Sequence, residues 1–169
     1  MNTSKQRFQF RSWMTTGCGV AMALVGVTFA PLVQAQSSPE MISFASGTAE
    51  KVEVRGFASA TVPLYQAIAE RDSNQQRCMG YGALTPDHVL DLKGDVSQLK
   101  LRIASRGQDT TLVVQGPGDR LICADDAPEG GKDAGIDWNN AKAGTYRVWV
   151  GAFDAGNRFR YTLNAETKN

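Results

Sequence analysis

The chain has 169 residues, with 18 Lys and Arg against 17 Asp and Glu, a single His and a formal charge of +1. Lys5, Arg7 and Arg11 precede an uncharged apolar run from Gly17 to Val33 that closes on Val33-Gln34-Ala35. That pattern predicts a signal peptide over residues 1–35 with cleavage after Ala35. Thr28 and Pro31 interrupt the run, which is too short to span a bilayer. Cys18 precedes the apolar core instead of following it, which argues against lipid anchoring.

Cleavage removes three basic and no acidic residues, so the mature chain carries a formal charge of −2. Such a surface offers no attraction to nucleic acid or to an anionic membrane, and no membrane insertion is expected after cleavage. What remains suits one domain with an ordinary core. The predicted destination is the periplasm or the medium. Cys78 and Cys123 both reach it, and an even count in an oxidising compartment favours a disulfide. Closing that loop is worth about 3–4 kcal/mol by chain entropy.

In chain order, residues 36–76 are the less legible part, a segment expected to be partly strand and to pack on the domain that follows. Lys51-Val52-Glu53-Val54-Arg55 alternates like a strand, whereas Leu64 to Ala69 fits a short helix or an irregular strand equally well. From Val89 the period of two is plain. Leu90 and Leu92 share one face, as do Leu99, Leu101 and Ile103, with Lys100 and Arg102 opposite. Thr110 to Gln115 is continuous and β-branched, and Gly116-Pro117-Gly118-Asp119 turns it into Leu121-Ile122-Cys123 as a hairpin. A glycine-rich loop follows from Ala127 to Gly135, and Trp138 reads as a core plug at its end. Asp154-Ala155-Gly156-Asn157 then turns the strand from Thr145 to Phe153 into Phe159 to Ala165. Residues 77–169 therefore predict an all-β domain, an antiparallel, jelly-roll-like β-sandwich of roughly eight strands.

Asp109-Thr110-Thr111-Leu112, Gly116-Pro117-Gly118, Asp125-Asp126, Ala143 to Gly151 and Tyr161-Thr162-Leu163 form an ordered set of motifs. From about Leu84 to Glu166 the chain thereby resembles the bacterial pre-peptidase C-terminal domain family. The resemblance implies a small jelly-roll sandwich without catalytic residues, usually an accessory module of secreted proteases and sometimes a free-standing exported protein. Some relatives that serve collagenases bind calcium and collagen. The chain departs from the family pattern by leaving no room for a protease alongside, so any assistance to an enzyme would act in trans. It also carries Thr111 where the family often repeats Asp, and the Cys78–Cys123 pair is an elaboration.

Two candidate sites follow from the residues. Asp109, Asp125, Asp126 and Asp133, with glycines nearby, could supply part of the six to eight oxygens that calcium takes. Turn chemistry is the stronger reading, because the spacing matches no dedicated calcium loop. On paired final strands, Tyr146, Val148 and Val150 would face inward, leaving Arg147 and Trp149 outward beside Arg158 and Arg160. That would make a stacking platform flanked by guanidinium groups, unless an arginine stacks on Trp149 and shields it or the loop from Ala127 to Asn140 covers it, which is the slightly stronger reading. No catalytic residues are assigned: His88 is the only histidine and reads as part of a turn, and no Ser occupies a nucleophile elbow. The expected function is an exported, non-catalytic binding or accessory module for an extracellular polymer or a secreted or envelope protein. The alternatives are a structural envelope or matrix protein and, behind it, a hydrolase of unrecognised site.

Overall fold

A computed structural model describes residues 39–169; the signal peptide expected over residues 1–35 and its expected cleavage point lie outside the described residues. Among the described residues eleven strands and one short α-helix succeed one another, with a 3₁₀ turn at Pro117–Asp119: β1 (Glu40–Phe44), β2 (Lys51–Ser59), β3 (Val62–Pro63), α1 (Leu64–Ala67), β4 (Tyr81–Gly82), β5 (His88–Leu92), β6 (Val96–Ala104), β7 (Thr110–Gln115), β8 (Leu121–Ala124), β9 (Gly135–Ala141), β10 (Gly144–Ala152) and β11 (Arg158–Lys168). They form two facing sheets, a β-sandwich as the alternation predicted. The four-stranded sheet runs β2-β11-β6-β9. In the seven-stranded sheet β10 is central, with β5 and then β4 along one side and β7 and β8 on the other. The β7–β8 hairpin is present with Val113 opposite Cys123. Pairing is antiparallel with one exception: β1 lies parallel to β5 along the sheet's edge.

The core follows from the period of two. Leu90 and Leu92 on β5, Leu112 and Val114 on β7, and Tyr146, Val148 and Val150 on β10 meet Leu99 and Leu101 on β6 and Leu163 on β11; all are buried. Trp138 is buried as expected, but within strand β9, where its ring meets Tyr146 edge to face at 5.2 Å between centroids. Arg120 covers that indole's outer side, with its guanidinium carbon 5.0 Å from the ring centroid.

A second, smaller core explains why Thr110 to Gln115 is apolar without interruption. Strand β7 is buried on both faces because residues 64–80, between β3 and β4, fold over the outside of the seven-stranded sheet. Leu64 from α1, Cys78, Val113, Leu121, Cys123 and Trp149 pack together there. The Cys78–Cys123 disulfide forms, with its Cα atoms 5.2 Å apart, and fastens the segment to β8. Buried Asp72 assists: one carboxylate oxygen accepts from the Asn74 and Gln76 amides at 2.8 and 2.9 Å, and the other from the Cys123 amide at 3.4 Å. Gly80, in the left-handed region at φ +87°, permits the close approach. A Cβ there would meet Thr111 at 2.5 Å and the Ala152 carbonyl at 2.7 Å.

Candidate binding cleft

The predicted platform is not assembled, for two separable reasons. First, β10 and β11 belong to different sheets, so Arg147 stands on one side of the sandwich and Arg158 and Arg160 on the other. Residues 154–157 do not close a hairpin: the Gly156 amide donates to Ala60 O at 2.7 Å and the Ala60 amide to Asn157 O at 3.0 Å. Tying this turn to the end of β2 hands the chain to the other sheet, where β11 pairs with β2 and β6. Second, Trp149 faces away from the main core as its alternation requires, but it is only 5 % exposed. The segment 64–80 lies over it, and its Nε1 donates to Leu84 O at 3.4 Å. Arg147, Arg158 and Arg160 are exposed.

The four aspartates do not converge either. Among the described residues no group of three or more His, Cys, Asp or Glu side chains is placed to hold a metal. Asp133 instead buttresses a turn, accepting from the Ser105 amide at 3.1 Å and from the Ser105 hydroxyl. Asp109 receives the Phe153 amide on its backbone carbonyl at 3.0 Å, and the Asp126 carbonyl receives the Gly135 amide at 3.3 Å. Asp125 is half-buried and Asp126 exposed. The glycine-rich loop that carries Asp133 is held by a different ion pair: Arg102 grips Glu129 through Nε and Nη2 at 2.6 and 2.9 Å and reaches Asp137 at 2.8 Å. Burial would lower the Arg102 pKa, but its two carboxylate partners outweigh that and raise it.

His88 opens β5 inside the sandwich, 2 % exposed, with Nε2 2.7 Å from the Tyr161 hydroxyl. Its neighbour Asp87 fills the gap between β5 and β4 beside β10. The backbone amide of Asp87 donates to Val148 O, and its carboxylate accepts from the Val150 amide, both at 2.8 Å. Burial pushes the Asp87 carboxyl up to about 6, against the opposing effect of the Val150 hydrogen bond. The native state thus holds this proton more tightly than the unfolded chain. The group's contribution is favourable below about pH 4 and is lost as pH rises to about 6, by up to about 3 kcal/mol. Asp87→Asn keeps the acceptor and discards the charge, so it should raise the melting temperature at pH 7 and leave it nearly unchanged at pH 4. Equal shifts at both pH values would contradict this assignment.

The folded-over segment creates a cleft of about 690 Å³ beside the disulfide. Tyr65, Met79, Tyr81 and Phe153 give it an apolar lining, and Glu70, Arg77 and Asp154 give it a charged margin. Tyr65, Met79 and Phe153 are exposed although large and apolar. Its floor is rigid: α1 begins at buried Leu64, the Cys78 amide donates to Glu70 O at 3.0 Å, and the Leu64 amide donates to Gly80 O at 3.0 Å. Sequence reasoning missed this site because its lining residues come from the segment whose course could not be read and from the crossover after β10. The one available signal was a disulfide half, Cys78, followed by a large apolar residue in a short polar stretch.

No family model matches the chain, and no curated protein matches it. Among solved structures the chain is similar to the pre-peptidase C-terminal domain of collagenase from Bacillus anthracis, at 14 % identity and TM-score 0.35, over 76 % of this chain and 96 % of that one. It is likewise similar to PliG of Aeromonas hydrophila, a periplasmic inhibitor of g-type lysozyme, at 9 % identity and TM-score 0.36, over 78 % of this chain and all of that one. Both likenesses are weak and assign neither a ligand nor an activity. The motif resemblance to the pre-peptidase C-terminal family has no matching family model.

Proposed function

We propose that the protein is an exported, non-catalytic module that binds a protein partner through the cleft between residues 60–82 and the end of β10. One observation carries the reading. Tyr65, Met79 and Phe153 remain exposed around a cleft whose shape a disulfide fixes. Aromatic residues, Met and Arg are the types enriched in protein–protein interfaces, and Arg77 stands at this margin. A preformed apolar centre with a charged rim is the arrangement that loses little entropy on binding. The disulfide favours an oxidising compartment, periplasm or medium. The absence of catalysis is part of the proposal and is supported by His88 being enclosed in the sandwich instead of facing a cleft.

The test is affinity capture from the exporting cell's periplasm and medium, with and without calcium. A protein retained by the wild type should be lost from a Tyr65→Ser/Phe153→Ser variant whose melting temperature is unchanged. Equal retention by both forms, or recovery of a glycan alone, would contradict the proposal.

A further inference from the structure

On the opposite side of the sandwich, one end of the outer face of the four-stranded sheet collects arginines without acidic partners. Arg55 and Phe57 stand on β2, Arg158 and Arg160 on β11, and Arg106 just after β6; all five are exposed. The register sets Arg160 directly across from Phe57 and Thr162 across from Arg55, so Arg55 and Arg160 are diagonal neighbours. A groove of about 620 Å³ runs among Arg55, Phe57, Arg106, Arg160 and Thr162, and no carboxylate lines it. Among the described residues none of these four guanidinium groups joins an ion pair or a side-chain hydrogen bond. Like charges at neighbouring positions on paired strands repel one another, so the cluster is costly in the free protein.

Arg106 adds an independent sign. Its φ is +62°, in the left-handed region that disfavours residues with side chains. Ser105, held by Asp133, fixes the turn, with its hydroxyl oxygen accepting from the Gln108 amide at 3.1 Å. Glycine or asparagine is the usual occupant of such a position. Here a built turn presents a third guanidinium to the groove.

We propose that this groove binds an extended acidic peptide segment of another protein, with carboxylates at alternate positions. Arg160 lines the groove and Arg158 stands outside its lining two residues away on the same strand, hence about 6.6–6.8 Å along it, which is also the spacing of alternate side chains in an extended peptide. Guanidinium forks take carboxylates bidentately. The Phe57 ring, 55 % exposed beside Arg160, packs against the aliphatic stem of a glutamate presented on that same face of the peptide. This site is separate from the cleft at the disulfide and does not depend on the function assigned there.

The experiment is fluorescence anisotropy of a short labelled peptide carrying glutamate at every second position, at low salt, with the full mature protein. The glutamate peptide should bind, and its glutamine analogue should not. Arg55→Ser/Arg160→Ser should weaken binding at least about tenfold. A charge-matched control, Lys132→Ser/Arg147→Ser, should leave the affinity unchanged, and circular dichroism should show both variants folded. The proposal is overturned by equal binding of the two peptides or by an equal loss in the control. It is also overturned if polygalacturonate displaces the peptide at a lower carboxylate concentration than the unlabelled peptide does, because the site would then be one for acidic glycans.

Discussion

Trp149→Ala should cost about 3–5 kcal/mol of folding stability, the range for emptying a buried aromatic site. Read by strand alternation alone, the same change would be harmless, because the residue sits on the face that points away from the main core. The difference lies in what covers that face. Leu64, Val113, Leu121 and both disulfide cysteines share the small outer core with the indole, so truncation leaves a void against a cross-linked wall that has little freedom to collapse. Since single domains are held by only about 5–15 kcal/mol, the loss is a large share of the total. Urea denaturation of the mature protein measures it, and a change under about 1 kcal/mol would put the ring back at the surface.

Removing the disulfide, as Cys78→Ser/Cys123→Ser, should have a comparable effect through the unfolded state. The bridge closes a sequence separation of 45 residues, for which loop entropy gives about 3–4 kcal/mol. The structural consequence is local. Residues 71–77 are otherwise held to β8 by the Ser73 amide to Leu121 O at 2.9 Å, the Leu121 amide to Ser73 Oγ at 2.9 Å and the Asp72 bond to Cys123. Without the covalent tie this edge opens first, and Trp149 meets water. The variant should therefore show red-shifted indole emission in addition to a lower melting temperature, and the cleft should lose its shape. A melting temperature within a degree or two of the wild type would show that the non-covalent contacts suffice.

Much of the sandwich was legible because its strands have one buried face. Leu90 and Leu92, or Leu99, Leu101 and Ile103, alternate with polar residues, and a period of two has no other economical explanation. The partner of each strand was not legible in the same way. Asp154 to Asn157 has the composition of a hairpin turn, and only its hydrogen bonds to Ala60 reveal a crossover. That one difference separated Arg147 from Arg158 and Arg160 and brought the latter beside Arg55 and Phe57 instead. Strand β1 was unreadable because its parallel partner, β5, lies far along the chain. Strand β9, with its Asp137-Trp138-Asn139 centre, was hidden behind a glycine-rich loop. The segment 60–82 carries little regular structure: its position depends on a disulfide, the buried carboxylate of Asp72 and the close approach allowed by Gly80, none of which is a periodic signal. The candidate cleft arises from that segment, and so it was the least visible part of the chain.

The most direct test of the central claim, that the face beside the disulfide engages a protein, is site-specific photo-crosslinking in the exporting cell. With a photoreactive amino acid in place of Met79, irradiation should yield one discrete protein adduct, and adding Phe153→Ser should abolish it. The same group in place of Lys93, exposed beyond the end of β5, should give none. Identical adduct patterns from the two positions, or no adduct from Met79 in the correctly oxidised protein, would contradict the account.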